Sequence, residues 1–235
     1  MKKLFVTLLS FVVIAANAQT ADEVVSKYST AMGGLDNFNK VTTAKFSGTV
    51  SMQGQTFPMT LQVVNGKAAR TDLDIMGQAV VNVYDNGKGW KINPYGGAPT
   101  ATEISGAELT AAKNQSNIAN NLMDYANRGH KVELLGQEDV DGVKTNKIKL
   151  TTKDDGKEFT FFINTADNLL IKSVGKREIQ GQELEIETYY SDFKDVNGLK
   201  FSFMLTQKIQ GQVFQEIKYE KVELNIPVDE KIFKM

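Results

Sequence analysis

His130 is the only histidine of the 235-residue chain and cysteine is absent, so the usual suppliers of a nucleophile, a general base or a zinc ligand reduce to one imidazole. It follows Gly129 at the end of a helical stretch, where an imidazole interacts with the helix C-terminus. Zinc would need partners that the sequence lacks. Carboxylates come in groups: Asp72 with Asp74, Asp139 with Asp141, Asp154 with Asp155, and Glu183, Glu185 and Glu187. Spacing of two along a strand puts such residues on one wet face, and Asp at a turn is ordinary turn chemistry. Asp139-Val140-Asp141-Gly142 opens like a calcium loop, but no oxygen ligand follows at the next alternate position and no Glu closes it. No Gly-x-Ser-x-Gly elbow, phosphate-cradling glycine loop or dinucleotide fingerprint is present. The sequence therefore predicts no catalytic residue, no metal site and no cofactor, and reads as a non-enzyme.

What remains is apolar surface at regular spacing. Phe46, Met52, Met59, Leu61, Leu73, Ile75, Trp90, Phe161, Tyr190 and Phe203 occupy alternating positions of strand-like runs, and they are the candidates for lining an apolar ligand cavity. Thioether side chains adapt to irregular ligands, so Met52, Met59, Met76 and Met204 serve either a ligand or an ordinary core. Trp90, the only tryptophan, either forms a rigid amphipathic wall at a ligand mouth or anchors the sheet from within.

The elements that must position these residues are legible from turn chemistry. Asn65-Gly66, Asp141-Gly142, Asp155-Gly156 and Asn197-Gly198 accept the positive φ of tight hairpins. Gln53-Gly54-Gln55, Gln180-Gly181-Gln182 and Gln210-Gly211-Gln212 place a lone glycine at similar apices. Between them, apolar and polar residues alternate as strands with one wet face require. Strands are predicted at 43–52, 55–64, 67–75, 79–84, 88–93, 131–137, 143–151, 157–164, 169–177, 183–190, 200–209 and 213–224. Helices are predicted at 21–32, stopped by Gly33-Gly34, and at 105–128, where Leu109, Ala112, Ala119, Leu122, Met123 and Ala126 recur near helical spacing. The second stripe is thin and rich in Ala, Asn and Gln, and serves as either a lid of low local stability or a connecting helix. The fold class that follows is mainly β (α+β), one large curved antiparallel sheet.

Met1 to Ala18 has a basic start, an apolar stretch and the ending Ala16-Asn17-Ala18, the layout of a cleaved secretory signal. Residues 19–235 then form one domain, large enough for a core without disulfides. With Lys+Arg 27 against Asp+Glu 28, charges of both signs are interspersed. No basic stripe for nucleic acid or polybasic run for a membrane surface exists. A soluble periplasmic product is expected, with no spanning segment.

Val83-Tyr84-Asp85-Asn86-Gly87-Lys88-Gly89-Trp90-Lys91-Ile92-Asn93-Pro94 resembles the strand, Asp/Gly/Lys turn, Trp strand and Asn-Pro exit of the LolA/LolB-like superfamily of periplasmic outer-membrane lipoprotein carriers. Tyr28…Ala31-Met32-Gly33-Gly34 is similar to the helix ending of longer lipoprotein-sorting relatives. The resemblance implies an incompletely closed antiparallel barrel around helices, with an apolar cavity for acyl chains. It implies a carrier that moves lipoproteins or related lipids from an inner-membrane donor to an outer-membrane acceptor, most simply as a monomer. The chain departs from the family where a Lys-Arg-Pro turn supplies a lid-latching arginine, because Val64-Asn65-Gly66 stands there. Arg70 alternates opposite Leu73 and Ile75 and is read as facing solvent. The alternative function is a non-transporting, lipoprotein-sensing interaction module on the same scaffold.

Overall fold

The computed structural model describes residues 19–179 and 181–235, with the side chain of Ile179 left aside. The expected signal segment Met1 to Ala18 and the turn residue Gln180 lie outside the described residues. Helix α1 (Ala21–Met32) starts at a reciprocal cap: Glu23 N–H donates to Thr20 Oγ1 (3.2 Å) and Thr20 N–H to the Glu23 carboxylate (3.3 Å). It ends at Gly33, and a short α2 (Leu35–Lys40) follows.

Thirteen strands follow among the described residues: β1 (Thr43–Met52), β2 (Gln55–Val64), β3 (Ala68–Ile75), β4 (Gln78–Asp85), β5 (Lys88–Asn93), β6 (Ala98–Glu103), β7 (Lys131–Val140), β8 (Val143–Thr151), β9 (Glu158–Asn164), β10 (Leu170–Ile179), β11 (Gln182–Val196), β12 (Leu199–Ile209) and β13 (Gln212–Leu224). They form one antiparallel sheet in the order β6-β5-β4-β3-β2-β1-β13-β12-β11-β10-β9-β8-β7, so β1 and β13 meet in the middle and β6 and β7 are free edges. The sheet is not closed. Asp141-Gly142 and Asn197-Gly198 adopt positive φ at both residues, as two-residue hairpins demand.

One face of the sheet, here the inner face, carries the main core. Val24, Val25, Tyr28 and Met32 of α1 pack with Ile148, Leu150, Phe161, Ile163, Leu199, Phe201 and Phe203. The helix predicted over 105–128 is two pieces. Helix α3 (Gly106–Gln115) stops where Ser116 Oγ and Asn117 Nδ2 both bond the Lys113 carbonyl (2.7 and 3.0 Å). Short polar side chains there compete for the backbone and end the helix. Residues 116–129 form a turn-rich cover whose Leu122 and Met123 are buried in the main core, whereas α3 itself buries only Ala112. The better anchored half is thus the non-helical one.

The outer face of β3–β5 is covered by the C-terminal segment 225–235. Val228, Ile232 and Phe233 pack on Ala68, Val81, Val83 and Trp90. Arg70 does not face solvent. Its guanidinium grips Asp72 (2.7–3.0 Å), donates to the Ile232 carbonyl (2.7 Å) and stacks 5.7 Å from the Trp90 ring centre. An arginine fork satisfies a carboxylate, a carbonyl and an aromatic face at once, which a solvated position would not.

Candidate functional site

The inner face, α1 and the cover border a half-open cavity of about 250 Å³. Its wall begins with Tyr28 and Met32 of α1 and Phe38 of α2, continues through Phe46, Leu61 and Val63 of β1 and β2, and reaches Tyr190, Phe201, Leu205 and Tyr219 across β11–β13. The cover supplies Asn117, Ile118, Asn120 and Met123. Aromatic rings form a continuous stretch: Phe201 lies 5.5 Å from Phe38 and 5.8 Å from Phe46, and Phe46 lies 5.2 Å from Tyr219. Tilted and edge-on contacts at such spacings make a stiff apolar wall.

Polar groups are few and placed. Asn120 Nδ2 donates to the Tyr28 hydroxyl (2.6 Å), tying cover to helix, and Tyr190 shares a hydrogen bond with Ser173 (3.0 Å). Burial pushes all three phenols up, Tyr219 to about 12, and neighbouring Tyr190 adds to the shifts of Tyr28 and Tyr219. A phenoxide loses its hydration in such a wall, so these groups stay neutral.

The cover is tied to the β2–β3 turn. Asn65 donates to the carbonyls of Val41 (2.8 Å) and Phe38 (3.4 Å), and its Oδ1 accepts from Ile118 N–H (3.1 Å). Gly66 N–H adds a bond to the Ser116 carbonyl (2.8 Å). The turn that lacks the family's arginine thus holds the cover with a carboxamide, which can donate and accept together. At the far end of the cover, Tyr125 donates to Asp22 at the start of α1 (2.5 Å), and Arg128 staples Asp124, Asn121 and the Ala119 carbonyl.

Of the ten residues singled out from the sequence, the structure brings Phe46, Leu61 and Tyr190 to the cavity wall. Met52, Met59, Leu73 and Ile75 share the inner face by register but lie further toward the β1–β2 and β3–β4 turns. Phe161 and Phe203 are buried in the main core, beside the cavity rather than on it. Trp90 is on the other side of the sheet, 8% exposed, with its indole N–H on the Phe233 carbonyl (3.1 Å). It anchors the outer layer, and not a ligand mouth, because β5 pairs it with outward-facing Val83. Tyr28, Phe38, Phe201 and Tyr219 line the cavity without having been singled out. For Tyr28 the signal was present in the stripe of α1. For Tyr219 it was hidden, since the ladder between β1 and β13 shifts at Ser47/Gly48 and skips Glu220.

His130 accepts a hydrogen bond from Lys153 N–H through Nδ1 (3.2 Å), and burial, then repulsion from Arg128, lowers its pKa. Among the described residues no three His, Cys, Asp or Glu side chains group so as to hold a metal ion, and no helix is long and apolar enough to cross a membrane.

No protein-family model matches the chain, and no curated protein matches it by sequence. Solved structures do match. A LolA superfamily protein from Nitrosomonas europaea superposes with a TM-score of 0.62 at 14% identity, covering 93% of this chain and 99% of that one. A DUF1329 family protein from Desulfovibrio piger gives 0.63 at 10% identity, covering 92% and 98%. A domain assigned to outer membrane lipoprotein sorting, from Vibrio parahaemolyticus, gives 0.61 at 13% identity, covering 91% and 97%. With both chains covered almost end to end at identities this low, the agreement speaks to architecture, and the chain has the fold of the LolA superfamily.

Proposed function

We propose that residues 19–235 form a single soluble carrier domain, exported by a signal in residues 1–18, that binds acyl chains of lipoproteins or related lipids in the periplasm. The partly closed sheet serves as a half-barrel around the ligand, a donor sits in the inner membrane and an acceptor in the outer, and the carrier works as a monomer without catalysis. The observation that carries this reading is the largely apolar, aromatic-walled cavity beneath a cover tied to α1 and to the β2–β3 turn. An engineered cavity of about 150 Å³ holds one benzene ring, so a space of about 250 Å³ takes roughly ten carbons. At about 0.8 kcal/mol per methylene removed from water, ten carbons gain at most about 8 kcal/mol, on the micromolar scale. That magnitude is large enough to escort a chain across water and small enough to surrender it to an acceptor.

Native mass spectrometry of protein purified from its own periplasm without detergent tests the proposal. Co-purifying lipid is expected, and Leu61→Glu, which sets a charge beside Phe46 in the wall, should abolish it while unfolding stays cooperative. An apo mass for the unaltered protein, together with no uptake of added fatty-acyl probe, would reject the carrier and favour an interaction module.

A further inference from the structure

The hydroxyl groups of the cavity do not balance. Tyr28 is 1% exposed and its oxygen accepts from Asn120, whose own carbonyl is occupied by Met123 N–H. That leaves the Tyr28 O–H proton with no acceptor among the described residues. The Tyr190 and Ser173 pair holds two hydroxyl protons and uses one between them. Tyr219 also lines the cavity, and among the described residues its hydroxyl has no hydrogen-bond partner. Three tyrosines on α1, β11 and β13 thus border one half-open, mostly apolar space, with hydroxyl protons that no protein group among the described residues accepts. A mostly apolar pocket orients its ligand through a few polar groups of this kind, and a guest that expels water from them must take up their hydrogen bonds.

Resting on the carrier reading, we infer that the ligand is an acyl compound whose carbonyl oxygen seats among the Tyr28, Tyr190 and Tyr219 hydroxyls while its chain lies along Phe46, Leu61 and Phe201. A pure hydrocarbon leaves the three donors unmet. Neutral phenols suit the partial charge of a carbonyl, and their raised pKa values keep them protonated as donors across the physiological range. The carbonyl could belong to an ester or to a free acid. Lys200, the one cation among the described residues that border this space, distinguishes the two by favouring an ionised acid.

Displacement of bound 1-aminoanthracene by decane, methyl nonanoate and nonanoic acid, in the unaltered protein and in Tyr219→Phe, provides the test. Tyr219→Phe removes a hydroxyl that forms no bond within the described structure, so the fold loses little. The ratio of ester to decane affinity should fall about fivefold in this variant, as expected for one net hydrogen bond, with the solvation of each ligand in water cancelling from the comparison. Tyr190→Phe should lower it in the same direction. Nonanoic acid follows the ester if the carbonyl alone is read, and exceeds it at high pH, with that excess lost in Lys200→Gln, if the acid is the natural head. A ratio unchanged by both tyrosine variants, with all ligands still binding, overturns the inference and leaves the carrier standing. No displacement by any of the three ligands overturns both.

Discussion

Replacing Asn65 with alanine should loosen the cover without loosening the sheet. Asn65 has an ordinary negative φ, so alanine enters without backbone strain. The substitution removes two well-formed hydrogen bonds, to the Val41 carbonyl (2.8 Å) and from Ile118 N–H (3.1 Å), and a longer one to the Phe38 carbonyl (3.4 Å). Only the Ile118 bond reaches the cover, so at about 1 kcal/mol net for a good bond the cover loses about 1 kcal/mol, or roughly a fivefold rise in its opening equilibrium. The adjacent bond from Gly66 N–H to the Ser116 carbonyl is untouched, so the segment stays tethered. Native-state hydrogen exchange reads the two regions separately. Amides of Ile118, Met123, Asp124 and Arg128 should exchange about fivefold faster, while those of Ile148 and Leu150 in β8 shift far less. Faster acyl-probe entry should accompany the change. If cover and sheet amides accelerate equally, Asn65 supports global folding and the argument for a local tether is wrong.

Three other outcomes follow from particular contacts. In Gly48→Ala the new Cβ would lie 2.0 Å from the Lys218 carbonyl at the join of β1 and β13, so a loss of at least about 2 kcal/mol is expected in urea unfolding; an unchanged midpoint would show that the join yields. Arg70→Met should remove the guanidinium that holds the Ile232 carbonyl and covers the Trp90 face, loosening the C-terminal segment, raising tryptic cleavage at Lys231 and Lys234 and red-shifting Trp90 fluorescence, while acyl uptake is retained. His130 has a lowered folded pKa, so the unfolded chain takes up its proton first and stability is lost as pH falls through about 6.5 and then through the lower folded value. The drop in urea midpoint between pH 7.5 and 5.5 should be smaller in His130→Gln; an equal drop would assign the acid sensitivity elsewhere.

Turn dipeptides and alternation carried the strands to the residue for β1, β2, β5 and β8, because glycine-bearing turns mark where those segments begin or end. Strand β6 was invisible for the opposite reason. Ala98-Pro99-Thr100-Ala101-Thr102-Glu103 has no apolar alternation and carries a proline, which only an edge strand tolerates. Half of β11 was missed because Asp192 takes a positive φ and breaks the period-two pattern before Phe193. The site was harder still. Alternation separates two faces but does not say which one is inner, so Trp90 and Leu73 looked equivalent although the sheet lies between them. Distance along a strand was equally unreadable, and it sets Leu61 on the cavity wall and Met59 beyond it. Asn65 was noticed as a missing arginine, but its three partners come from segments far apart in sequence.

Because β6 and β7 share no ladder, the girth of the sheet is not fixed by a closed ring of hydrogen bonds. Changing the twist between neighbouring strands moves the two margins apart while every rung stays intact, so the molecule behaves as a cuff rather than a pipe. On the carrier reading proposed above, a bulkier guest would meet elastic resistance that grows gradually, instead of the abrupt penalty of splitting a seam.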